Sequence, residues 1–227
     1  MDVNDMAQKM GDTCYLFLAL NFFWGLYCVV MGFRRVSQLA FSRREQQEQH
    51  LDELLGNFQQ GNYSAAAELV EGDVRALPQL SQVAIANRQL GFEPMRQMVL
   101  ELWQRDIMGD LEYRTSWLAT VIKSGPLLGL FGTVLGMMAA FGRIGSGEKV
   151  QPTQIADEIS IALICTAMGL ATAIPFNFLL ASINVRVRRL QESLTSGMSR
   201  VLDHFKRQDE AARRPEERKP SRSPAHV

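Results

Sequence analysis

The sequence predicts an all-α membrane protein, with three transmembrane helices extended by cytoplasmic helices. Three observations carry that prediction. Three runs contain no charged residue, Cys14 to Phe33, Gly125 to Gly142 and Ile159 to Val185, and each is long enough for a helix to cross a hydrocarbon layer of about 30 Å at about 1.5 Å per residue. The alternation of apolar and polar residues that marks a strand persists nowhere. The stretch after the first run, Val36 to Phe58, is rich in Glu, Gln, Leu and Arg, which favour helix.

The N-terminal segment, 1–13, is polar, and Asp2, Asp5 and Asp12 outnumber Lys9. Acids thus precede the first run, 14–33, while Arg34 and Arg35 follow it, the reverse of a cleaved signal peptide. The positive-inside rule then places the N-terminus outside and Arg34 in the cytoplasm, and an uncleaved anchor is expected. Residues 34–123 form a cytoplasmic helical region. Val36 to Phe58 is expected to continue the first helix. Gly61 and Asn62 interrupt it, Ser64 is expected to cap a short helix through Val70, and Gly72, Asp73 and Pro78 mark the next break. A helix from Leu80 is interrupted near Gly91 and Pro94, then runs from Met95 through Lys123 into the second crossing, 124–145.

An outer loop, 146–156, joins this to the third crossing, 157–185. Arg143 and Lys149 are opposed there by Glu148, Asp157 and Glu158. Arg186, Arg188 and Arg189 follow the third crossing, so charge bias agrees with this topology at each junction and puts the C-terminus inside. Leu190, Leu194, Met198 and Val201 recur at helical spacing and predict a cytoplasmic helix over 186–206. The tail, 207–227, has almost no apolar residue and is expected to be disordered. Pro126 and Pro175 are expected to bend their helices.

Composition excludes several functions. Lys and Arg together number 24, as do Asp and Glu. That balance argues against binding nucleic acid by phosphate neutralisation. Cys14, Cys28 and Cys165 lie in apolar runs without a CxxC pair and read as buried packing residues. His50, His204 and His226 read as surface residues. No phosphate-cradling glycine loop, zinc spacing or Ser/His/Asp arrangement is visible. No enzyme activity, metal or cofactor is expected.

The informative feature is the spacing of small residues. Gly129, Thr133, Gly136 and Ala140 share one face of the second crossing, and Ala162, Thr166, Gly169, Ala173 and Asn177 share one of the third. Lipid tails give helices no hydrophobic drive to pair, so such faces mark close helix approach or a narrow polar path. Two readings stand for the hydroxyls of Thr133 and Thr166: a bond to the carbonyl one turn back in the same helix, or a place on that path. Asn177 is expected to make an interhelical hydrogen bond, with a pathway role second. Glu158 is either an interfacial acid or an ion-entry group. A charge at mid-span costs about 2.5 to 3.5 kcal/mol on insertion scales, and none occurs here. A complete ion relay therefore needs a carboxylate from elsewhere.

The run GPLLGLFGTVLGMMAAF, followed after a short loop by ISIALICTAMGLATAIP, resembles the signature of the MotA/TolQ/ExbB proton-channel family, nearest its ExbB and TolQ branch. The likeness is strong over Leu118 to Val185. It is looser earlier, through GNYSAAAELVEGD and the Pro-Gln-Leu-Ser approach to the next helix. It implies a subunit of the bacterial inner membrane, embedded in lipid, with a periplasmic N-terminus. Five such subunits surround a dimer of a single-span ExbD/TolR/MotB-like partner, whose helix carries an essential Asp, and together they turn ion flow into mechanical work. Thr133 and Thr166 stand at the family's polar pore positions, where a hydroxyl would lie beside that Asp. The sequence departs at one place, with Ile161 where most ExbB and TolQ relatives carry a glutamate. Glu158 is the nearest acid, one turn earlier, and MotA-type relatives manage without that glutamate. The rival expectation is a non-conducting, membrane-anchored assembly scaffold.

Overall fold

A computed structural model describes residues 3–145 and 151–217, with side chains over 13–145 and 151–211. The order is α1 (Val3–Leu39), α2 (Arg44–Gln59), α3 (Tyr63–Val70), α4 (Ala76–Ala86), a 3₁₀ turn (Arg88–Leu90), α5 (Phe92–Leu102), a π-helical turn (Trp103–Met108), α6 (Gly109–Gly145) and α7 (Pro152–Glu217). No strand occurs among the described residues. Three helical stretches, Thr13–Gln59, Phe92–Gly145 and Pro152–Ala211, each contain a segment long and apolar enough to cross a membrane.

The chain divides into two compact units. The first comprises the described parts of Met1–Arg34 and Glu112–Val185. Its buried residues are mostly small: Cys14, Cys28, Ala140, Ala162, Cys165 and Ala173, with Leu18, Leu118, Phe176 and Ile183 filling between them. All three cysteines are buried and unbridged. Leu20, Phe23, Leu127, Phe131, Phe141, Leu163, Ile174 and Phe178 are exposed instead. Apolar surface on this scale is what a hydrocarbon or protein neighbour covers.

The second unit comprises Arg35–Leu111 and the described part of Arg186–Val227. It has an ordinary aqueous-type core of Leu39, Leu54, Phe58, Leu80, Met95 and Val99. Leu190, Leu194, Met198 and Val201, the row read from the sequence, are buried in it together with Phe205. Arg35 Nε donates to Asp110 at 2.6 Å, and Arg200 to Asp52 at 2.6 Å.

Several local expectations are corrected. The first helix does not continue to Phe58: it ends at Leu39, and α2 starts afresh at Arg44. Arg75 lies 4.1 Å from the Phe41 ring, which packs against His50, so this corner is held by tertiary contacts that propensity does not report. Asn62, not Ser64, caps α3, its side chain accepting from the Ala65 N–H at 3.2 Å. Asn62→Ala is expected to cost the second unit about 1 kcal/mol in chemical denaturation, and Ser64→Ala much less. Pro78 is no breaker. It sits in the first turn of α4, where its missing N–H would have no intrahelical partner anyway. Gly61 and Gly72 supply the breaks, at φ of 72° and 75°. Of the expected outer loop, Pro152 onward is helical, and 146–150 lie outside the described residues. The tail expected to be disordered from Arg207 is helical to Glu217, over a segment with the helix-favouring Ala211, Ala212 and Glu210. The rest of it, 218–227, lies outside the described residues.

The histidines also differ from expectation. His50 and His204 are half-buried against Phe41 and Phe58, while His226 lies outside the described residues. Burial lowers the His50 imidazole below its usual value and the Arg75 charge lowers it further, outweighing Asp73 and Glu53. His204 is lowered by burial and then by Arg207. A histidine held neutral by the fold binds protons more readily when unfolded. Its contribution is therefore complete above the unfolded value near pH 6.5 and is lost as pH falls through it. The second unit is expected to melt roughly a few degrees lower at pH 5.5 than at pH 7.5. His50→Phe with His204→Phe is expected to flatten that difference, as read by circular dichroism of the whole protein in detergent.

Candidate functional site

The candidate site lies in the first unit, along the seam between α6 and α7. Glycine makes this seam possible. A Cβ on Gly169 would stand 2.6 Å from the Gly125 carbonyl oxygen, and one on Gly129 would stand 2.8 Å from the Cys165 carbonyl oxygen. The two backbones touch directly at both places. Further along, Gly136 faces Ala162, whose Cβ would be 2.6 Å from an added one. Ala140, Ala162 and Ala173 are buried. All six small residues singled out in the sequence thus lie at close helix approach or in the buried interior of this unit.

Thr133 and Thr166 meet at this seam, each half-buried, with their Oγ1 atoms in hydrogen-bond contact. Thr133 Oγ1 is 3.2 Å from the Gly129 carbonyl in its own helix and 3.0 Å from the Ala162 carbonyl across the seam. Thr166 Oγ1 donates across the seam to the same Gly129 carbonyl at 3.1 Å. Thr133 thus touches the carbonyl one turn back in its own helix and also bridges the helices, while Thr166 bonds across the seam. Two hydroxyls carry two protons and several lone pairs. With both protons engaged on carbonyls or each other, acceptor capacity remains, and either hydroxyl can turn its proton toward an incoming carboxylate.

The other singled-out residues are placed differently. Asn177 is exposed on the chain and makes no hydrogen bond among the described residues, so the expected interhelical bond is not formed within one chain. Ile161 is also exposed, its carbonyl accepting from the Tyr15 hydroxyl at 3.1 Å. Glu158 is ion-paired, its Oε1 lying 2.7 Å from a terminal guanidinium nitrogen of Arg143.

Sequence reasoning missed a second polar node. Asn21 of α1 donates to the Val121 carbonyl at 3.3 Å, and the Ser124 hydroxyl donates to Asn21 Oδ1 at 2.8 Å. The signal was present, since Asn21 is the lone amide in the run from Cys14 to Phe33. A groove of about 900 Å³ in the second unit, lined by Arg44, Arg189, Arg200, Leu51 and Leu190 among others, contains none of the predicted site residues. No cluster of His, Cys, Asp and Glu able to hold a metal occurs among the described residues.

Comparison with known proteins gives a consistent set of matches. The profile of the MotA/TolQ/ExbB proton channel family matches residues 83–196, half of the chain. The Tol-Pal system protein TolQ of Haemophilus influenzae is 39% identical over 83 residues, 37% of this chain and 36% of that protein. The biopolymer transport protein ExbB of Aquifex aeolicus is 39% identical over 85 residues, 37% of this chain and 55% of that one. The ExbB of Neisseria gonorrhoeae is 39% identical over 77 residues, covering 32% and 35%. The chain thus spans between about a third and just over half the length of these relatives.

Proposed function

Since the chain belongs to the MotA/TolQ/ExbB proton channel family and carries three helices able to cross a membrane, we propose that it is a multi-pass subunit of the bacterial inner membrane that conducts a monovalent cation. In this reading it is a stator component whose ion flow is turned into mechanical work across the envelope. The N-terminus is periplasmic and the C-terminus cytoplasmic, as the arginine distribution favours. Five copies surround a dimer of a single-span ExbD/TolR/MotB-like partner, and that partner supplies the carboxylate.

The observation that carries the proposal is the hydroxyl pair of Thr133 and Thr166, set in a stretch where no charged residue occurs between Gly125 and Gly142 or between Ile159 and Val185. A hydroxyl offers a hydrogen bond to a carboxylate but cannot itself carry charge near neutral pH. The pair is therefore half of a relay, and a partner Asp completes it. Asn177, exposed at depth, is assigned to a contact with another subunit or that partner, because an amide facing lipid alone is costly.

The scaffold reading has its own support. The small residues are engaged in packing α6 on α7, which a non-conducting protein would equally need. Reconstitution separates the two. Liposomes holding this protein with its single-span, Asp-bearing partner are expected to pass H⁺ or Na⁺, read with a dye for each, and those holding this protein alone are not. Absence of flux with the partner present would leave the scaffold as the function.

A further inference from the structure

Two of the three cysteines converge on one point in the first unit. A Cβ added to Gly132 of α6 would stand 2.9 Å from Cys14 Sγ of α1, and 2.9 and 3.2 Å from Cys165 Cβ and Sγ of α7. Two atoms lying 2.9 and 3.2 Å from a common point are no more than about 6 Å apart, so the two sulfurs share the space that the glycine leaves open. Both cysteines are free and almost wholly buried, Cys14 at 3% and Cys165 at 2% exposure. Cys14 Sγ donates to the Leu128 carbonyl at 3.1 Å. Cys28 is buried too, but it lies fourteen residues along α1 from Cys14, about 21 Å at about 1.5 Å per residue, and meets neither thiol. Packing asks for a small apolar side chain at each of these places, and it asks for no second sulfur beside the first.

We infer that Cys14 and Cys165 are a disulfide-forming pair, and that closing it locks the seam beside Thr133 and Thr166. The bond needs the sulfurs at about 2 Å, so it takes a change of rotamer at one or both cysteines and a shift of the helices that carry them. Gly132 and Cys165 adjoin Thr133 and Thr166 in sequence, so that shift falls on the hydroxyl pair. In closing, the two thiols give up two protons and two electrons to a two-electron oxidant, and one sulfur–sulfur bond replaces two sulfur–hydrogen bonds. Burial keeps both thiols from charged oxidants and from enzymes at the surface, so the oxidant must be small and able to dissolve in the bilayer. The effect on flux rests on the transport reading above; the pairing of the sulfurs does not.

The test treats liposomes holding this protein and its single-span partner with diamide, an uncharged diazene whose nitrogen–nitrogen double bond takes up the two protons and two electrons and becomes a hydrazine. Mass spectrometry after free thiols are blocked is expected to show one linked peptide pair, Cys14 with Cys165, lighter by two hydrogens than the separate peptides. Cation flux is expected to fall at least about tenfold, since a misplacement of about 1 Å at a reacting site can cost about a hundredfold. Dithiothreitol is expected to separate the peptides and restore the flux. Cys28→Ala is expected to respond as the unaltered protein does, and Cys14→Ala to show neither link nor loss of flux. Should Cys14→Ala not assemble, Cys14→Ser, closer in size, is read in its place. A link made through Cys28, no link at all, a link that leaves flux unchanged, or an equal loss of flux in Cys14→Ala overturns the inference while the transport reading stands. No flux from the untreated complex overturns the transport reading, and the linked peptides, read without flux, still uphold or refute the pair.

Discussion

Replacing Thr166 by valine is expected to cut ion flux about a hundredfold while leaving the complex assembled. Valine keeps the shape of threonine and removes only the hydroxyl. Within the chain this loses the hydrogen bond from Thr166 Oγ1 to the Gly129 carbonyl at 3.1 Å and the hydroxyl contact with Thr133. Such bonds between membrane helices average about 0.6 kcal/mol, too little to separate helices that also touch through Gly125 and Gly169. In the proposed relay the loss is larger. A partner carboxylate left without its donor in a dry site faces a penalty of about 3 kcal/mol, and each 1.4 kcal/mol or so is a factor of ten in rate. Ser182 gives the control: its hydroxyl is exposed and donates to the Phe178 carbonyl of its own helix at 3.0 Å, so Ser182→Ala is expected to conduct normally. Wild-type flux from Thr166→Val in an intact complex would remove the hydroxyl pair from the mechanism.

Gly169→Ala is the second large effect, and it acts on the frame that holds the hydroxyls. The new methyl would meet the Gly125 carbonyl oxygen at 2.6 Å and the Pro126 Cα at 3.3 Å. Both are backbone atoms and cannot swing aside as a side-chain end could. The helices must separate, and overpacking of this kind costs about 1 to 3 kcal/mol. Thr166 lies less than one turn away, so its contact with Thr133 opens as well. Lower thermal stability in detergent and a loss of flux are expected together. Gly142 provides the contrast, since nothing lies within 4 Å of a Cβ added there. Gly142→Ala is expected to be neutral or slightly stabilising through helix propensity. Equal behaviour of the two variants in a melting experiment would show that α6 and α7 do not approach as described.

Much of this architecture is local information and was readable as such. Charge-free runs of sufficient length define where a membrane can be crossed, because transfer of apolar residues and of backbone groups depends on composition and length. The stripe from Gly129 to Ala140 and the one from Ala162 to Ala173 followed from the helical period alone. So did the buried row from Leu190 to Val201. What failed were decisions that a neighbour makes. The corner at Ala40 to Arg43 sits where propensity favours helix, but Arg75 and His50 hold Phe41 there. The first turn of α4 accommodates Pro78 because the helix starts earlier than the proline suggests.

The sequence by itself determined the helices, their apolar lengths and which small and hydroxyl residues share a face, because each of these depends on residues a few positions apart. Only the tertiary structure decided that Thr133 and Thr166 meet one another, that Glu158 is paired with Arg143, that Asn21 joins Ser124 and that Asn177 remains exposed on the single chain. Those outcomes depend on the rotation and register of one helix against another. Register is settled by steric fit between glycines and backbone more than forty residues apart in sequence, at Gly125 and Gly169 above all, and no periodicity within either helix contains it.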